Sequence, residues 1–236
     1  MFKKIYFDTL PSTNQYLKDH YQEYYDHTVI ICHNQTNGYG RINRKWEMNP
    51  NESITMSILL KQDIAPEEAP KLSLMTSVAV FKVISSLVNK VMIKWPNDVL
   101  INDKKVSGIL LESVMSTKLE ALIVGIGINV NNGIFPDNLN SKATSLKLET
   151  RDNYDMEILI DEILKWFDYY YNDFLKNHHS YLKICRKYSS VIGNSYLING
   201  KSAYVLDILD NGNILVKHGN DNIEYSYGEL TLEDSY

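Results

Sequence analysis

The sequence predicts an α+β chain in two parts, residues 1–188 and 189–236. Three observations carry this. Apolar residues at Leu72, Met75, Ala79, Val83 and Leu87, and again at Leu159, Ile163, Phe167, Tyr170 and Phe174, fall at helical spacing. Between and before them lie β-leaning runs at 2–7, 29–32, 52–61, 91–95, 99–101, 106–115 and 119–130. After about Tyr188 the pattern shortens. Turns at Asn199-Gly200, Asp210-Asn211-Gly212 and Gly219-Asn220-Asp221 each favour the positive φ of hairpin loops, and four or five short strands in so few residues form a small barrel.

Taken in order, Phe2–Phe7 reads as a strand, and Ser12 to about Tyr24 as an amphipathic helix with Tyr16, Leu17, Tyr21 and Tyr24 on its apolar side. Glu52–Lys61 reads as a strand with alternating faces. Pro70 is tolerated in the first turn of the helix that runs to Val88. Val99–Ile101 and Val106–Leu111, separated by Asn102-Asp103-Lys104-Lys105, read as a hairpin. Asn131–Leu146 is a long Asn-rich loop, and Tyr154–Asn177 a helix whose aromatics form a core stripe. The adjacent His178 and His179 point apart at a helix end with no third ligand nearby, and are expected in solvent.

The chain has 236 residues, enough for one substantial domain and a small one, with 44% hydrophobic and 22% charged residues as in ordinary globular proteins. A net charge of −5 disfavours a general nucleic-acid surface. Cys32 and Cys185 fit neither a disulfide framework nor a metal motif and are expected to be buried. The start lacks an apolar signal core, and no window is expected to approach the ~18 apolar residues of a membrane span. A cytoplasmic protein without a membrane partner is the expectation.

Four segments carry chemistry. In Lys94-Trp95-Pro96-Asn97-Asp98 and the hairpin after it, Lys105 should return toward Asp98 near the small residues Ser107 and Gly108. That arrangement is either a solvated turn with a surface ion pair or two charges facing a cleft. The second segment, Gln35-Thr36-Asn37-Gly38-Tyr39-Gly40-Arg41-Ile42-Asn43-Arg44-Lys45-Trp46, combines glycines that let backbone N–H groups approach an anion, arginine forks and a flat indole. It is either a basic surface loop or a nucleotide site. Ser12-Thr13-Asn14 supplies a helix N-cap and a cluster of short donors and acceptors. Val124-Gly125-Ile126-Gly127-Ile128-Asn129 is either a strand approached closely by another backbone or a bulged edge strand, with Asn129 emerging at its end.

With these segments in this order, the chain resembles the biotin protein ligases along essentially its whole length. The Gly-x-Gly-Arg-x-x-Arg-x-Trp loop, Lys-Trp-Pro-Asn-Asp with the later Lys105 and Gly108-Ile-Leu, and Gly-x-Gly-x-Asn are jointly specific. The loop departs from the common family form at Tyr39, where arginine is usual, at Ile42, where a basic residue is frequent, and at Asn43, where glycine is common. The resemblance implies a mixed sheet flanked by helices, similar to class II aminoacyl-tRNA synthetase cores, closed by an SH3-like barrel. It implies ATP-dependent formation of biotinyl-5′-AMP, with Mg²⁺, and transfer of biotin to a lysine of a biotin carboxyl carrier protein.

By position, the resemblance assigns biotin to Ser12, Thr13, Asn14, Gln35, Tyr39, Gly40, Arg41 and Lys105. It assigns ATP or the adenylate to Arg44, Trp46, Asn129, Ala143 and Ser145. Lys105, Arg41 and Asp98 are the implied catalytic residues, Asp98 either holding Mg²⁺ or orienting the incoming amine. The 35–47 and 131–142 loops are expected to order around the adenylate. Only eleven residues precede Ser12, so the winged-helix DNA-binding module of regulatory members is expected to be absent; no DNA partner and a monomer or weak homodimer are expected. The competing readings are a lipoate or octanoate ligase or transferase of the same fold, and a biotin-binding regulator without turnover.

Overall fold

The structure is a computed structural model that describes residues 2–62, 64–198, 200–226 and 231–232. In chain order it runs β1 (Lys3–Leu10), α1 (Thr13–His20), β2 (Thr28–Gln35), β3 (Ser53–Leu60), α2 (Ala69–Leu87), β4 (Val91–Lys94), β5 (Asp98–Ile101), β6 (Lys104–Met115), β7 (Leu119–Asn129), α3 (Leu146–Thr150), α4 (Met156–Leu175) and α5 (Tyr181–Lys187). A second set of strands follows: β8 (Ser195–Ile198), β9 (Lys201–Ile208), β10 (Ile214–His218), β11 (Asp221–Tyr225) and β12 (Thr231–Leu232). The first seven strands form one sheet in the order β1-β2-β3-β7-β6-β5-β4, and β8–β12 form a separate antiparallel sheet in the order β11-β10-β9-β8-β12. Only β1 and β2 pair in parallel, so the large sheet is mixed, as expected.

The two faces of the large sheet are covered differently. Helices α2 and α4 pack on each other and against one face, where Ile54, Met56, Ile58, Val124, Ile126 and Ile128 meet Leu72, Met75, Phe167 and Tyr171. Each such buried side chain contributes about 1.5–3 kcal/mol. Helix α4 opens on Asp155, whose carboxylate accepts the N–H groups of Glu157 and Ile158. On the opposite face α1 covers a smaller apolar cluster of Leu10, Leu17, Ile30, Cys32, Leu59, Ala121 and Ile123. The rest of that face is mostly polar or glycine, and there the cleft lies.

Several expectations are corrected. β3 keeps the expected alternation, with Ser53, Thr55 and Ser57 against Asn129, Gly127 and Gly125, but both its faces are buried because it is central in the sheet. β7 is likewise central, so its glycines mark close approach and not a bulged edge. The 98–115 hairpin turns on Asn102-Asp103 alone, with φ of 48° and 64°, while Lys104 and Lys105 already belong to β6. Helix α1 ends at His20 and a single 3₁₀ turn carries the chain to Glu23. Two short helices were not expected. Ser145 starts α3 by accepting the N–H of Leu148, and α5 buries Tyr181, Leu182 and Cys185. His178 is exposed, but His179 is half-buried against Phe174 and Tyr181, and its pKa is lowered, chiefly by burial. Residues Pro70–Leu87 are long and apolar enough to cross a membrane, against expectation, yet 78% of that stretch is buried beneath the sheet and α4. Both cysteines are buried. Of the three expected hairpin turns after Tyr188, the first includes Asn199, outside the described residues.

Candidate functional site

The cleft, about 220 Å³ in volume, lies where α1, the 38–46 loop and the β4–β5 turn converge on the polar face of β3, β6 and β7. Its floor is made of small residues. A Cβ on Gly125 would strike the Asn14 amide, one on Gly127 would stand 2.7 Å from the Trp46 ring, and one on Gly108 would stand 2.8 Å from Lys105 Nζ. The three positions thus hold α1, the indole and the lysine directly against the sheet.

One end of the cleft is neutral and rich in hydrogen-bonding groups. Ser12 caps α1 through the N–H of Gln15 and lines the cleft. The backbone N–H and the hydroxyl of Thr13 both donate to Gln35 Oε1, at 2.7 and 3.1 Å. With its carbonyl so fixed, Gln35 turns its NH₂ toward Gly38 and the cleft. The Asn14 amide donates to Glu112 Oε2 at 2.9 Å and to the Leu110 carbonyl at 3.3 Å. Buried Ser57 lies within donating distance of both Thr13 Oγ1 and Asn14 Oδ1. A hydroxyl has one proton, so one of those two oxygens keeps acceptor capacity.

The other end is cationic. Arg41, Arg44, Lys45, Lys94 and Lys105 line it against one carboxylate, Asp98. The 38–46 loop is a small hairpin: Trp46 N–H donates to the Gly38 carbonyl, Gly40 N–H to the Arg44 carbonyl, and Tyr39 bridges Lys45. From it, Arg41 Nη1 donates to Asn97 Oδ1 at 3.3 Å. Asn97 in turn donates to the Ile109 carbonyl and accepts Ile109 N–H through its own carbonyl, fastening the turn to β6. Lys105 Nζ stands 2.7 Å from Asp98 Oδ1 and 5.7 Å from the centre of the Trp46 ring. A bulge between Val99 and Leu100 in the β5–β6 register accompanies this approach. The backbone of Lys105 is clamped by residues 142–144: its N–H donates to the Lys142 carbonyl, and its carbonyl accepts Thr144 N–H.

Ser12, Thr13, Asn14, Gln35, Tyr39, Gly40, Arg41, Arg44, Trp46, Asp98 and Lys105 therefore all line one cleft. Asn129, Ala143 and Ser145 do not. Asn129 is buried and donates to the Thr144 carbonyl, with its Oδ1 unpartnered. Ser145 caps α3 and donates to the Asn132 carbonyl. Ala143 lies in the strap beside Lys105. From sequence Asn97 stands only as part of its segment, without a role, and Ser57 and Glu112 are not singled out. Ser57 belongs to the polar alternation of β3. Glu112 is a charge at the period-two position that Gly108 and Leu110 also occupy, a pattern that gives the face but not what packs on it.

Among the described residues no group of three acidic, His or Cys side chains is arranged to hold a metal. Asp98 by itself fits the habit of Mg²⁺, which takes one or two carboxylates and completes its shell with water and substrate phosphate.

The fold and cleft define an α+β domain that presents a hydrogen-bonding pocket and an anion site side by side. The chain belongs to the biotin/lipoate A/B protein ligase family, whose model matches residues 6–129. It is 33% identical over 208 residues to the bifunctional ligase/repressor BirA of Bacillus subtilis, covering 85% of this chain and 64% of that protein. It is 37% identical over 161 residues to BirA of Bacillus spizizenii, covering 66% of this chain and 50% of that one. The chain thus spans between half and 64% of the length of these two relatives. Among solved structures, the biotin protein ligase from Aquifex aeolicus in complex with biotin and ATP matches with a TM-score of 0.87 and 26% identity, covering 100% of both chains.

Proposed function

We propose that this chain is an ATP-dependent biotin protein ligase, forming biotinyl-5′-AMP and passing biotin to a lysine of a biotin carboxyl carrier domain. The observation that carries it is the junction in one cleft of a fixed amide-and-hydroxyl end with a cationic end. Biotin has that shape in chemical terms: a ureido ring with two donors and an acceptor, joined by an apolar arm to a carboxylate. The Aquifex aeolicus protein, matched over its full length, holds biotin and ATP.

In this reading Gln35 NH₂ and Ser12, with the acceptor capacity left at Thr13 or Asn14, satisfy the ureido ring. Buried polar groups need such partners. Arg41 and Lys105 receive the carboxylate. A carboxylate oxygen attacks the α-phosphorus of ATP, and pyrophosphate leaves. The cations offset charge as it develops on the phosphoryl oxygens, and Mg²⁺, held by Asp98 and the phosphates, would add to that. Trp46 provides a flat face for the adenine and Arg44 a fork for the phosphates. Asn129 and the 142–144 strap act from behind, by holding Lys105. Once the substrate carboxylate takes the Lys105 ammonium, Asp98 is released as an acceptor for the incoming lysine amine. That amine attacks the acyl carbon and AMP leaves.

A lipoate-type ligand uses this cleft poorly. Its ring lacks ureido donors, so the fixed groups at the neutral end would lose water without gaining partners. The test is mass spectrometry of a carrier domain incubated with the protein, ATP, Mg²⁺ and biotin. A mass gain on one lysine is expected; a gain with lipoate or octanoate but none with biotin would overturn the proposal.

A further inference from the structure

Trp46, Arg41 and Tyr39 of the 38–46 hairpin reach the sheet and the turn beside it, and the last two differ in kind. Arg41 reaches Asn97 over a long 3.3 Å contact, and its guanidinium lies where an anionic ligand would draw it away. Tyr39 instead donates to Glu112 Oε2 at 2.9 Å, on the floor strand β6. Glu112 is also the point where α1 is tied down. Asn14 Nδ2 donates to the same oxygen, and Lys18, one helical turn further on, pairs with Oε1 at 2.8 Å. Its side chain is 18% exposed, so these contacts are sheltered from solvent.

We infer that Glu112 is a positioning residue, and that the Tyr39–Glu112 contact is the ligand-independent latch that holds the 38–46 hairpin in register over the biotin pocket. The inference rests on the reading of the cleft as a biotin site. The latch couples the walls on either side of the neutral end: the carboxylate that fixes the orientation of the Asn14 amide also fixes the arm of the hairpin carrying Arg41 and Trp46. Tyr39 stands where an arginine is usual in proteins of this type. A guanidinium can donate to the same carboxylate, so the position keeps the contact while its charge changes. In this chain Lys18 alone answers the charge of Glu112 among the contacts described. The phenol remains protonated, its pKa raised to about 12 by burial first and by the Glu112 bond second.

The experiment compares the full chain with Tyr39→Phe, Glu112→Gln and Tyr39→Arg by amide hydrogen exchange without ligand and by biotin-dependent ATP–pyrophosphate exchange. In Tyr39→Phe the amides of Gly40 and Trp46 should exchange about tenfold faster, the scale of losing one hydrogen bond to a charged group. Biotin KM should rise by about the same factor and kcat should fall by less than that, because Arg41 and Trp46 are kept and only their placement is loosened. Glu112→Gln, which keeps an acceptor but loses the Lys18 pair, should show a smaller effect in the same direction. Tyr39→Arg should return both readouts to within about twofold of the parent. Unchanged amide exchange in Tyr39→Phe, or no recovery in Tyr39→Arg, would overturn the latch. A parent protein with no pyrophosphate exchange would overturn the functional reading instead, and amide exchange would still decide the latch.

Discussion

Strands β3 and β7 show the same alternation on two faces with opposite consequences. Toward α2 and α4 they present Ile54, Met56, Ile58, Val124, Ile126 and Ile128, which fill space. Toward α1 and the 38–46 hairpin they present Ser53, Thr55, Ser57, Gly125, Gly127 and Asn129, which leave space or hold a hydrogen bond. One face therefore stores stability in packed volume, and the other gives up packed volume so that side chains from elsewhere can lie against the backbone. Substitutions on the first face should act on folding, and those around the second on turnover.

Phe167→Ala, on α4 against the apolar face, breaks that division most severely if it fails. Phe167 is fully buried, and its truncation should cost about 3–5 kcal/mol by denaturant unfolding. Activity per folded molecule should be unchanged. Next, Lys105→Ala removes a cation at a turn-proximal position with little packing. Pyrophosphate exchange should fall about 10²–10³-fold, the usual scale for losing one preorganised charge-stabilising donor, while the melting temperature barely moves. A large melting shift with near-normal exchange would reverse the comparison.

Gly127→Ala sharpens it. The new methyl would meet the Trp46 ring at 2.7 Å, so the indole must lift off the sheet. Overpacking of this kind costs about 1–3 kcal/mol in a rigid core, and should cost less here because the ring sits on a loop. Adenylate formation should drop about tenfold, as expected for a group displaced by an ångström or so from its working position. The smallest effect is alkaline. Tyr39 titrates at about 12 in the folded protein against 10.0 unperturbed, because of burial and then the Glu112 bond. A raised folded pKa means the folded state holds the proton longer, so stability falls as pH rises from 10 through about 12. Tyr16 and Tyr170, also at about 12, behave alike, so Tyr39→Phe should flatten only part of that decline in a pH series of thermal melts.

The apolar face was legible in the sequence, because Leu72 to Leu87 and Leu159 to Phe174 carry a strong helical period. The cleft was legible in part. Lys105 and Asp98 meet as the hairpin required, and the Gly-rich loop lines the same space. Glu112 and Ser57 were harder to read because their meaning depends on what packs over β6 and β3, and strand alternation does not name the element on the other side. Asn129 and Ser145 show the reverse: polar residues near a site whose side chains hold backbone carbonyls, of Thr144 and Asn132. Helices α3 and α5 span five and seven residues, too short for periodicity to separate them from loop.

One contact reaches past the cleft. The buried indole of Trp95, in the turn before Asp98, donates to the carbonyl of Gly212 in the β9–β10 loop of the second sheet. The back wall of the cleft is thus shared property, and thermodynamic linkage follows. A ligand that tightens the Trp95–Asp98 turn must raise the melting of the β8–β12 unit by the same coupling free energy that docking of that unit lends to ligand binding. The two sheets, separate in topology, should therefore unfold as one cooperative transition when the cleft is filled.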